Sequence, residues 1–153
     1  MFKKMMLKKT LFVAALFVSQ SALATVTVFV ENDSRTEDAV FFSKDSSISV
    51  FSPDPALVIP SEGKVQFQVN STVSNVTVVD FEYGFEGGLE PKCHFRFTII
   101  RDYRTGNMVP QRIIADDEDG SYRDKAVCSG RLKAFNLQTG EAIVNFSINR
   151  RTF

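Results

Sequence analysis

Apolar and polar residues alternate along three segments of this chain, at residues 64–70, 93–99 and 142–148. A repeat of two is the spacing of a β-strand with one buried face and one face in water. No window of a dozen residues shows the 3.6-residue period of an amphipathic helix. The sequence therefore predicts an all-β fold. In the second segment the inward positions would be Cys93, Phe95, Phe97 and Ile99.

Weaker strand signals surround these segments. Residues 25–30 are apolar or β-branched on both faces, and turn residues such as Pro53, Gly63 and Gly140 separate the segments. One wet face per strand suits antiparallel pairing. We predict a single antiparallel β-sandwich, Ig-like or jelly-roll-like, of about eight strands. The weaker strands lie at residues 39–42, 47–51, 75–81, 112–115, 122–128 and 131–135.

The first 24 residues have the three parts of a secretory signal. Four lysines open the chain, an apolar run of eight residues follows from Leu11 to Val18, and Ala22-Leu23-Ala24 supplies the small residues that signal peptidase reads. The run is too short to cross a bilayer, which takes roughly 20 residues. No later segment is a transmembrane candidate. We predict a bacterial Sec-type signal at residues 1–24 and a mature domain at residues 25–153, periplasmic or secreted.

Removal of the signal leaves 129 residues, the size of one ordinary domain. The full chain carries 18 basic and 18 acidic residues, and loss of the four signal lysines makes the mature net charge −4. A mildly acidic domain lacks the basic footprint that nucleic-acid phosphates require. We therefore expect no nucleic-acid partner, and we consider a protein or a carbohydrate at the cell surface instead.

Cys93 and Cys128 are the two cysteines of the chain. In an oxidising compartment paired cysteines usually close, and a loop of this length gains about 3–4 kcal/mol in chain-entropy terms. A reactive or metal-binding thiol pair is the alternative, but there is no C-x-x-C motif and only one histidine, His94. We predict a structural disulfide.

Residues 116–120, with the sequence DDEDG, form the densest charge cluster. Crowded carboxylates suit a hard cation such as Ca²⁺, so Asp116, Asp117 and Asp119 are candidate ligands. In a calcium-loop register with Gly120 as the turn glycine, however, the first and last ligand positions fall on alanines. We favour a solvated acidic hairpin tip, and we expect neither a metal nor a cofactor.

His94 is a candidate general base, because a histidine side chain titrates near neutral pH. Strand alternation points it outward, and no nucleophile motif such as G-x-S-x-G accompanies it. A carboxylate pair for glycoside hydrolysis stays open, since its members would be distant in sequence. The sequence predicts a protein that is not an enzyme.

Arginine and tyrosine supply the candidate binding residues, which are Arg96, Arg101, Tyr103 and Arg104. Outward side chains of these types can hold a carboxylate, a sugar or a partner protein. The alternative, which we favour, is an ordinary charged surface balanced by nearby acids.

Three classes of function fit these features. The first, which we favour, is a non-enzymatic binding or interaction module. The second is a structural subunit of a surface assembly, built by strand addition through the strands at residues 25–31 and 141–149. The third is a small secreted hydrolase or a membrane-active toxin, although the sequence has neither a nucleophile motif nor an amphipathic membrane segment.

Overall fold

The computed structural model describes residues 24–87 and 90–152, and the predicted signal lies outside them except for its last residue. Within these ranges the chain forms strands, turns and bends, and no helix there could cross a membrane. Eleven strands are present rather than about eight. They are β1 (Thr25–Asn32), β2 (Ala39–Lys44), β3 (Ser49–Ser52), β4 (Val58–Ile59), β5 (Lys64–Ser71), β6 (Val76–Gly84), β7 (Lys92–Arg101), β8 (Met108–Pro110), β9 (Ile114–Glu118), β10 (Asp124–Phe135) and β11 (Ala142–Thr152).

Two sheets pack face to face, which confirms the predicted β-sandwich. Sheet A has the strand order β10-β11-β1-β5-β3, and sheet B has the order β4-β2-β6-β7-β8, with β9 also paired to β7. Antiparallel pairing is the rule, as predicted. The exception among the described strands is the pair β1 and β11, which runs parallel at the centre of sheet A.

Side-chain burial on the long strands follows the predicted alternation. Successive strand residues face opposite sides, so burial of every second residue decides which face of each sheet meets the other. The periodicity prediction is confirmed on four strands. The buried positions are Val26, Val28 and Val30 on β1, Phe67 and Val69 on β5, Cys93, Phe95, Phe97 and Ile99 on β7, and Ala142, Val144, Phe146 and Ile148 on β11.

Phenylalanines from both sheets form the centre of the core. Phe81 and Phe95 of sheet B have ring centroids 5.3 Å apart. Phe146 of sheet A lies 4.8 Å from Phe95, and Phe67 of sheet A lies 5.3 Å from Phe81. Aromatic pairs at these distances add about 0.5–1.5 kcal/mol each beyond the burial of their area. The rings therefore hold the two sheets together at their middle.

A disulfide between Cys93 and Cys128 joins the sheets at one side of the sandwich, as predicted. Cys93 lies on β7 of sheet B, and Cys128 lies on β10, an edge strand of sheet A. Their Cα atoms are 5.6 Å apart, within the ordinary range for this bond. The bond therefore ties an edge of sheet A to the interior of sheet B.

Strand boundaries differ from the prediction at residues 129 and 130, which the prediction left outside any strand. Residues 122–128 and 131–135 belong to one strand, β10, which continues through Gly130. A Cβ at Gly130 would lie 2.5 Å from Ile113 Cγ2 and 2.9 Å from a ring carbon of Phe146. This glycine marks a close approach between the sheets, not a turn. β4 and β8 have only two and three residues, too few to leave a period-two signal.

β1 and β11 lie at the centre of sheet A, so both of their edges are already paired. β1 pairs with β11 and β5, and β11 pairs with β1 and β10. The edge strands are β10 and β3 in sheet A, and β4 on one side and β8 with β9 on the other side of sheet B. Strand addition needs an unpaired edge. The predicted use of the first and last strands for assembly is therefore wrong for this fold.

The loops lie at two opposite ends of the sandwich. The turns at residues 102–107 and 136–141 and the loop at residues 72–75 share one end, which we name the hairpin end. Backbone hydrogen bonds join all three, because Arg101 N donates to Asn75 O and Met108 N donates to Leu137 O. The loops at residues 53–57 and 119–123 lie at the other end, which we name the opposite end.

Candidate functional site

Two turns with the same backbone hydrogen bonds stand side by side at the hairpin end. In the turn from β7 to β8, Asp102 N donates to Asn107 O over 2.8 Å, and Asp102 O accepts from Gly106 N over 2.7 Å. The turn from β10 to β11 repeats both bonds around Asn136, at 2.9 and 2.8 Å. The two sheets therefore end in equivalent turns.

Side chains cap both turns in the same way. Asp102 and Asn136 each accept a 2.9 Å hydrogen bond at Oδ1 from the amide two residues further on. Gly106 and Gly140 have φ angles of 75° and 76°, in the left-handed region that favours glycine. Short polar side chains that bond the nearby backbone are a common feature of tight turns. Each turn is thus a well-supported platform for its second residue.

The second residue of each turn is large, apolar and exposed. Tyr103 is 78% exposed and Leu137 is 57% exposed. The turn from β10 to β11 is joined to the start of β8, directly after the other turn, since Met108 N donates to Leu137 O over 2.8 Å. A tyrosine from sheet B and a leucine from sheet A are therefore presented at the same end of the molecule.

The loop from β5 to β6 adjoins the tyrosine. Asn75 Nδ2 donates to Tyr103 Oη over 3.0 Å, and Arg101 Nε donates to Ser74 O over 3.3 Å. Val73 in this loop is also exposed. We name the combined surface the hairpin-end surface, and its residues are Val73, Arg101, Tyr103, Arg104 and Leu137.

The structure brings together three of the four predicted binding residues. Arg101, Tyr103 and Arg104 belong to the hairpin-end surface. Arg96 lies five positions before Arg101 on β7, which is about 16 Å along a strand. The four residues therefore do not form one site, and Arg96 belongs to a different face of the protein.

Arg96 belongs to an ion-pair cluster on the outer face of sheet B. Asp80, only 8% exposed, accepts a hydrogen bond from Arg96 Nε over 2.6 Å, and its other oxygen lies 2.9 Å from His94 Nε2. His94 Nδ1 lies 3.8 Å from Glu118 Oε1. His94 faces outward, as predicted. Its recorded partners within the described chain are carboxylates, not a serine or cysteine nucleophile.

The acidic segment at residues 116–120 is not a hairpin tip along its whole length, so this prediction is partly wrong. Asp116 and Asp117 belong to β9, which pairs with β7. Neighbouring strand residues point to opposite faces, so these two carboxylates diverge. Asp119 instead lies 3.1 Å from Lys92 Nζ. In the described part of the chain, no three acidic, histidine or cysteine side chains are placed to hold a metal ion.

Sequence analysis missed Leu137 and Val73. A short internal similarity could have revealed Leu137, because DYRTG at residues 102–106 and NLQTG at residues 136–140 share a capping residue, an apolar or aromatic residue and a Thr-Gly ending. Their meeting at one end depends on strand pairing between distant segments, which no local pattern contains. Val73 has no comparable signal.

The fold resembles known structures, while sequence comparisons find no match. No protein-family model matches this chain, and no curated protein matches it. The lipid binding protein Nakanori has a TM-score of 0.54 over 84% of this chain and 71% of its own, at 9% identity. IP-1A from Alcaligenes faecalis has a TM-score of 0.47 over 86% and 94%, also at 9% identity. The likeness to Nakanori shows a shared fold.

Proposed function

We propose that this protein is a non-enzymatic binding module that attaches to a lipid surface through its hairpin-end surface. The observation that carries the proposal is that Tyr103 and Leu137, two exposed side chains with large apolar surface, stand on matching turns at the same end of the molecule. Exposed apolar residues are ordinary when they are scattered singly, whereas contiguous ones mark interaction sites.

The hairpin-end surface combines side chains that a membrane interface favours. Tyrosine sits at the level of the lipid headgroups, with its ring in the apolar layer and its hydroxyl in water. Leucine gains about 1.5–3 kcal/mol when it is fully buried in an apolar environment. Arg104 is exposed beside Tyr103, and a guanidinium binds phosphate oxygens well. No described carboxylate lies within ion-pair distance of Arg104.

The opposite end also has exposed apolar residues, but they are far apart. Leu57 is 76% exposed beside β4, and Tyr122 is 86% exposed beside β9. β4 and β9 are four strand positions apart in sheet B, which is roughly 19 Å. These two residues therefore form no joint patch, and they match Leu137 and Tyr103 in chemistry. They serve as controls.

Sedimentation with lipid vesicles tests the proposal. We expect binding to vesicles of phosphatidylcholine with added phosphatidylglycerol. Tyr103→Ala/Leu137→Ala should lower the partition coefficient at least about tenfold, because partial burial of two large side chains exceeds the 1.4 kcal/mol of a tenfold change. The control Tyr122→Ala/Leu57→Ala should bind like the unchanged protein. Equal losses in both variants, or no binding by the unchanged protein, would contradict the proposal.

The role of Arg104 is tested by changing the lipid charge. Arg104→Gln should weaken binding to the phosphatidylglycerol vesicles by several-fold, since each basic side chain near an anionic surface contributes about 1 kcal/mol. Added salt should reduce that difference, because it screens the attraction. Arg123→Gln, which changes an exposed arginine at the opposite end, is the matched control.

Dye release separates a binding module from a membrane-active toxin. The described chain has no helix that could span a bilayer, and the proposed contact is confined to the tips of two short turns. We expect bound protein to release no trapped dye from the same vesicles. Release at the protein concentrations that give binding would favour the toxin class instead.

The proposal includes export of the protein, which we place in the periplasm or the medium. β1 begins at Thr25, the residue that follows the predicted cleavage site. The disulfide between Cys93 and Cys128 suits an oxidising compartment. N-terminal sequencing of protein recovered from the periplasm or the medium should begin at Thr25, and an intact Met1 on exported protein would contradict cleavage.

A further inference from the structure

Three aliphatic side chains form a row across the outer face of sheet B, directly beside the hairpin end. They are Val76 of β6, Ile100 of β7 and Val109 of β8, and Ile100 is paired in register with both of the others. Each points outward, because an adjacent residue on the same strand is buried in the core. Directly opposed side chains of antiparallel strands lie about 5 Å apart. We name this continuous surface the aliphatic row.

The aliphatic row is open to solvent, and the next row on the same face is also uncharged. Ile100 is 42% exposed and Val109 is 38% exposed. The next outward pair on β6 and β7 is Val78 and Thr98, which are opposed in register. Successive outward residues of a strand are about 7 Å apart. The first two outward rows of β6 and β7 therefore carry no charge.

Ionised side chains begin at the third row. Asp80 and Arg96 are opposed there in register, and they form the ion pair described above. Further toward the opposite end, Lys92 Nζ lies 3.2 Å from Glu82 Oε2 on the same face. The outer face of sheet B is thus divided into an uncharged part beside the hairpin end and a charged part beside the opposite end.

The outer face of sheet A has exposed aliphatic residues that stand apart. Val50 on β3 is 52% exposed, and Ile143 on β11 is 39% exposed. β3 and β11 are three strand positions apart in sheet A, which is roughly 14 Å. The residues between them include Thr27 and Gln68, which are polar and opposed in register. The two outer faces of the sandwich are therefore unequal near the hairpin end.

The aliphatic row is continuous with the hairpin-end surface. Asn75, the residue before Val76, donates from Nδ2 to Tyr103 Oη over 3.0 Å. Asn75 O also accepts a 2.9 Å hydrogen bond from Arg101 N, in the residue after Ile100. The row is thus one residue away from the loop and the turn that hold the exposed tyrosine.

We infer that the aliphatic row enters the lipid surface together with the hairpin-end surface, so that the bound protein is tilted with the outer face of sheet B toward the bilayer. This inference rests on the proposed function. Aliphatic side chains gain free energy on leaving water, whereas the pair of Asp80 and Arg96 stays where water or headgroups solvate its charges. Interfacial segments bury their apolar side by about 5–10 Å, a depth that the two uncharged rows match.

A second copy of the chain is a poorer occupant of this surface. Specific protein interfaces take roughly 20–30 residues on each side. The uncharged part of β6, β7 and β8 is much smaller, because the ionised row begins at Asp80 and Arg96. A lipid surface has no such minimum size, since lipid chains pack around a small apolar projection.

Tryptophan fluorescence tests the tilt. The chain has no tryptophan, so a single introduced one reports its own surroundings. On binding to vesicles with brominated acyl chains, Val109→Trp should show a blue-shifted emission and strong quenching. Val50→Trp is the matched control, because Val50 is opposed to Asn70 near the same end of the sandwich but lies on the outer face of sheet A. We expect less quenching there, and equal quenching at both positions would overturn the inference.

Vesicle sedimentation gives an independent measurement. Ile100→Ser/Val109→Ser should lower the partition coefficient about fivefold, the effect of partly burying two aliphatic side chains. Val50→Ser/Ile143→Ser is the control and should bind like the unchanged protein. Denaturation of each variant checks that it is folded.

The outcomes separate this inference from the proposed function. If Ile100→Ser/Val109→Ser binds vesicles normally while Tyr103→Ala/Leu137→Ala does not, the inference is overturned and the proposed function stands. If the unchanged protein does not bind vesicles, both are overturned. A dimer in sedimentation equilibrium that Ile100→Ser/Val109→Ser loses, with vesicle binding intact, would assign the row to a second copy and overturn the inference.

Discussion

Met108 N donates a 2.8 Å hydrogen bond to Leu137 O. This bond attaches the turn between β10 and β11 of sheet A to strand β8 of sheet B. Met108 is buried, and its Cγ lies 2.9 Å from the point where a Cβ on Gly140 would be. The turn that presents Leu137 is therefore packed onto the core at its glycine. The hairpin-end surface is an extension of the core, not an independent flap.

Gly140→Ala should destabilise the protein more than Gly106→Ala. Both glycines have the same left-handed φ, so both variants carry a similar backbone strain of about 1–2 kcal/mol. A Cβ at Gly106 meets nothing within 4 Å, whereas one at Gly140 meets Met108 Cγ at 2.9 Å. Crowding should add about 1–3 kcal/mol. Urea denaturation of both variants measures the difference, and equal losses would refute the packing at Gly140.

Loss of the disulfide should lower stability clearly. Replacing Cys93 and Cys128 by alanine opens a link across 35 residues, so the free energy of unfolding should fall by about 3–4 kcal/mol. Mass spectrometry without reduction should first show the protein two hydrogens lighter than its free-thiol form. A denaturation midpoint unchanged by reductant would contradict a stabilising role.

Tyr83→Phe should cost about 1–2 kcal/mol, because the fully buried Tyr83 donates a 2.6 Å hydrogen bond to Ala56 O, which the variant leaves without that donor. Burial also raises the pKa of Tyr83. The unfolded phenol loses its proton near about pH 10, so the Tyr83 contribution to stability is full below that pH and is lost as pH rises above it.

Denaturation of wild type and Tyr83→Phe as a function of pH measures both effects. The stability loss above about pH 10 should be smaller in the variant, since it has no buried phenol to titrate. Tyr103→Phe, which changes a mostly exposed tyrosine, is the control and should stay within about 0.5 kcal/mol. Identical alkaline profiles for all three proteins would exclude the role assigned to Tyr83.

Arg150→Met should destabilise the protein by about 1–3 kcal/mol, because Arg150 bonds both oxygens of Asp124, at 2.8 and 2.7 Å, and Glu37 at 2.6 Å. The hydrogen bond from Arg150 holds the pKa of Asp124 below its ordinary value of 3.8. A carboxyl group whose pKa is lower in the folded protein than in the unfolded chain stabilises the fold at pH values above its unfolded pKa. This stabilisation is lost as the pH falls.

The free energy of unfolding, measured as a function of pH in the acidic range, reports the coupling between Arg150 and Asp124. Between about pH 4 and pH 2 the stability of Arg150→Met should fall less steeply than that of the unchanged protein. Arg123→Met, beside Asp124 but exposed, should change neither stability nor its pH dependence. If the stability of Arg150→Met fell with pH as steeply as that of the unchanged protein, another group would be responsible for the acid dependence.

The acidic segment should be dispensable for stability. Asp117 lies 4.0 Å from Lys125 Nζ, and Asp119 lies 3.1 Å from Lys92 Nζ; both carboxylates are half exposed or more. Exposed ion pairs contribute little, so Asp117→Asn/Asp119→Asn should stay within about 0.5 kcal/mol of the unchanged protein. Added Ca²⁺ should not raise the melting temperature of either protein. A calcium-dependent rise that the variant loses would reveal a metal site.

Sequence reasoning succeeded where one face of a strand is buried. The alternation around Phe67, Phe95 and Phe146 records burial directly, because each inward residue must be apolar. The disulfide followed from the same parity, which turns Cys93 inward. The continuation of β10 through Gly130 was missed, because the close approach of Ile113 at this glycine leaves no local signal in the sequence.

The candidate site was beyond that reasoning for a physical reason. Arg96 and Arg101 are near in sequence, but a strand holds them apart, whereas Tyr103 and Leu137 are distant in sequence and are joined by sheet packing. Local periodicity contains no information on which sheet a strand enters. Strand order, and with it the meeting of the two turns, is a property of the whole chain.

Because β1 pairs in parallel with β11, sheet A cannot be completed until the last strand has joined it. Val26 and its partner Ala142 are 116 positions apart in the chain, and contacts of such long range form late. As the exported chain folds, β1 can pair with β5, but its other edge stays open until β11 arrives. An open apolar strand edge invites pairing with a neighbouring chain. Truncations that remove β11 should therefore yield aggregates rather than a smaller folded domain.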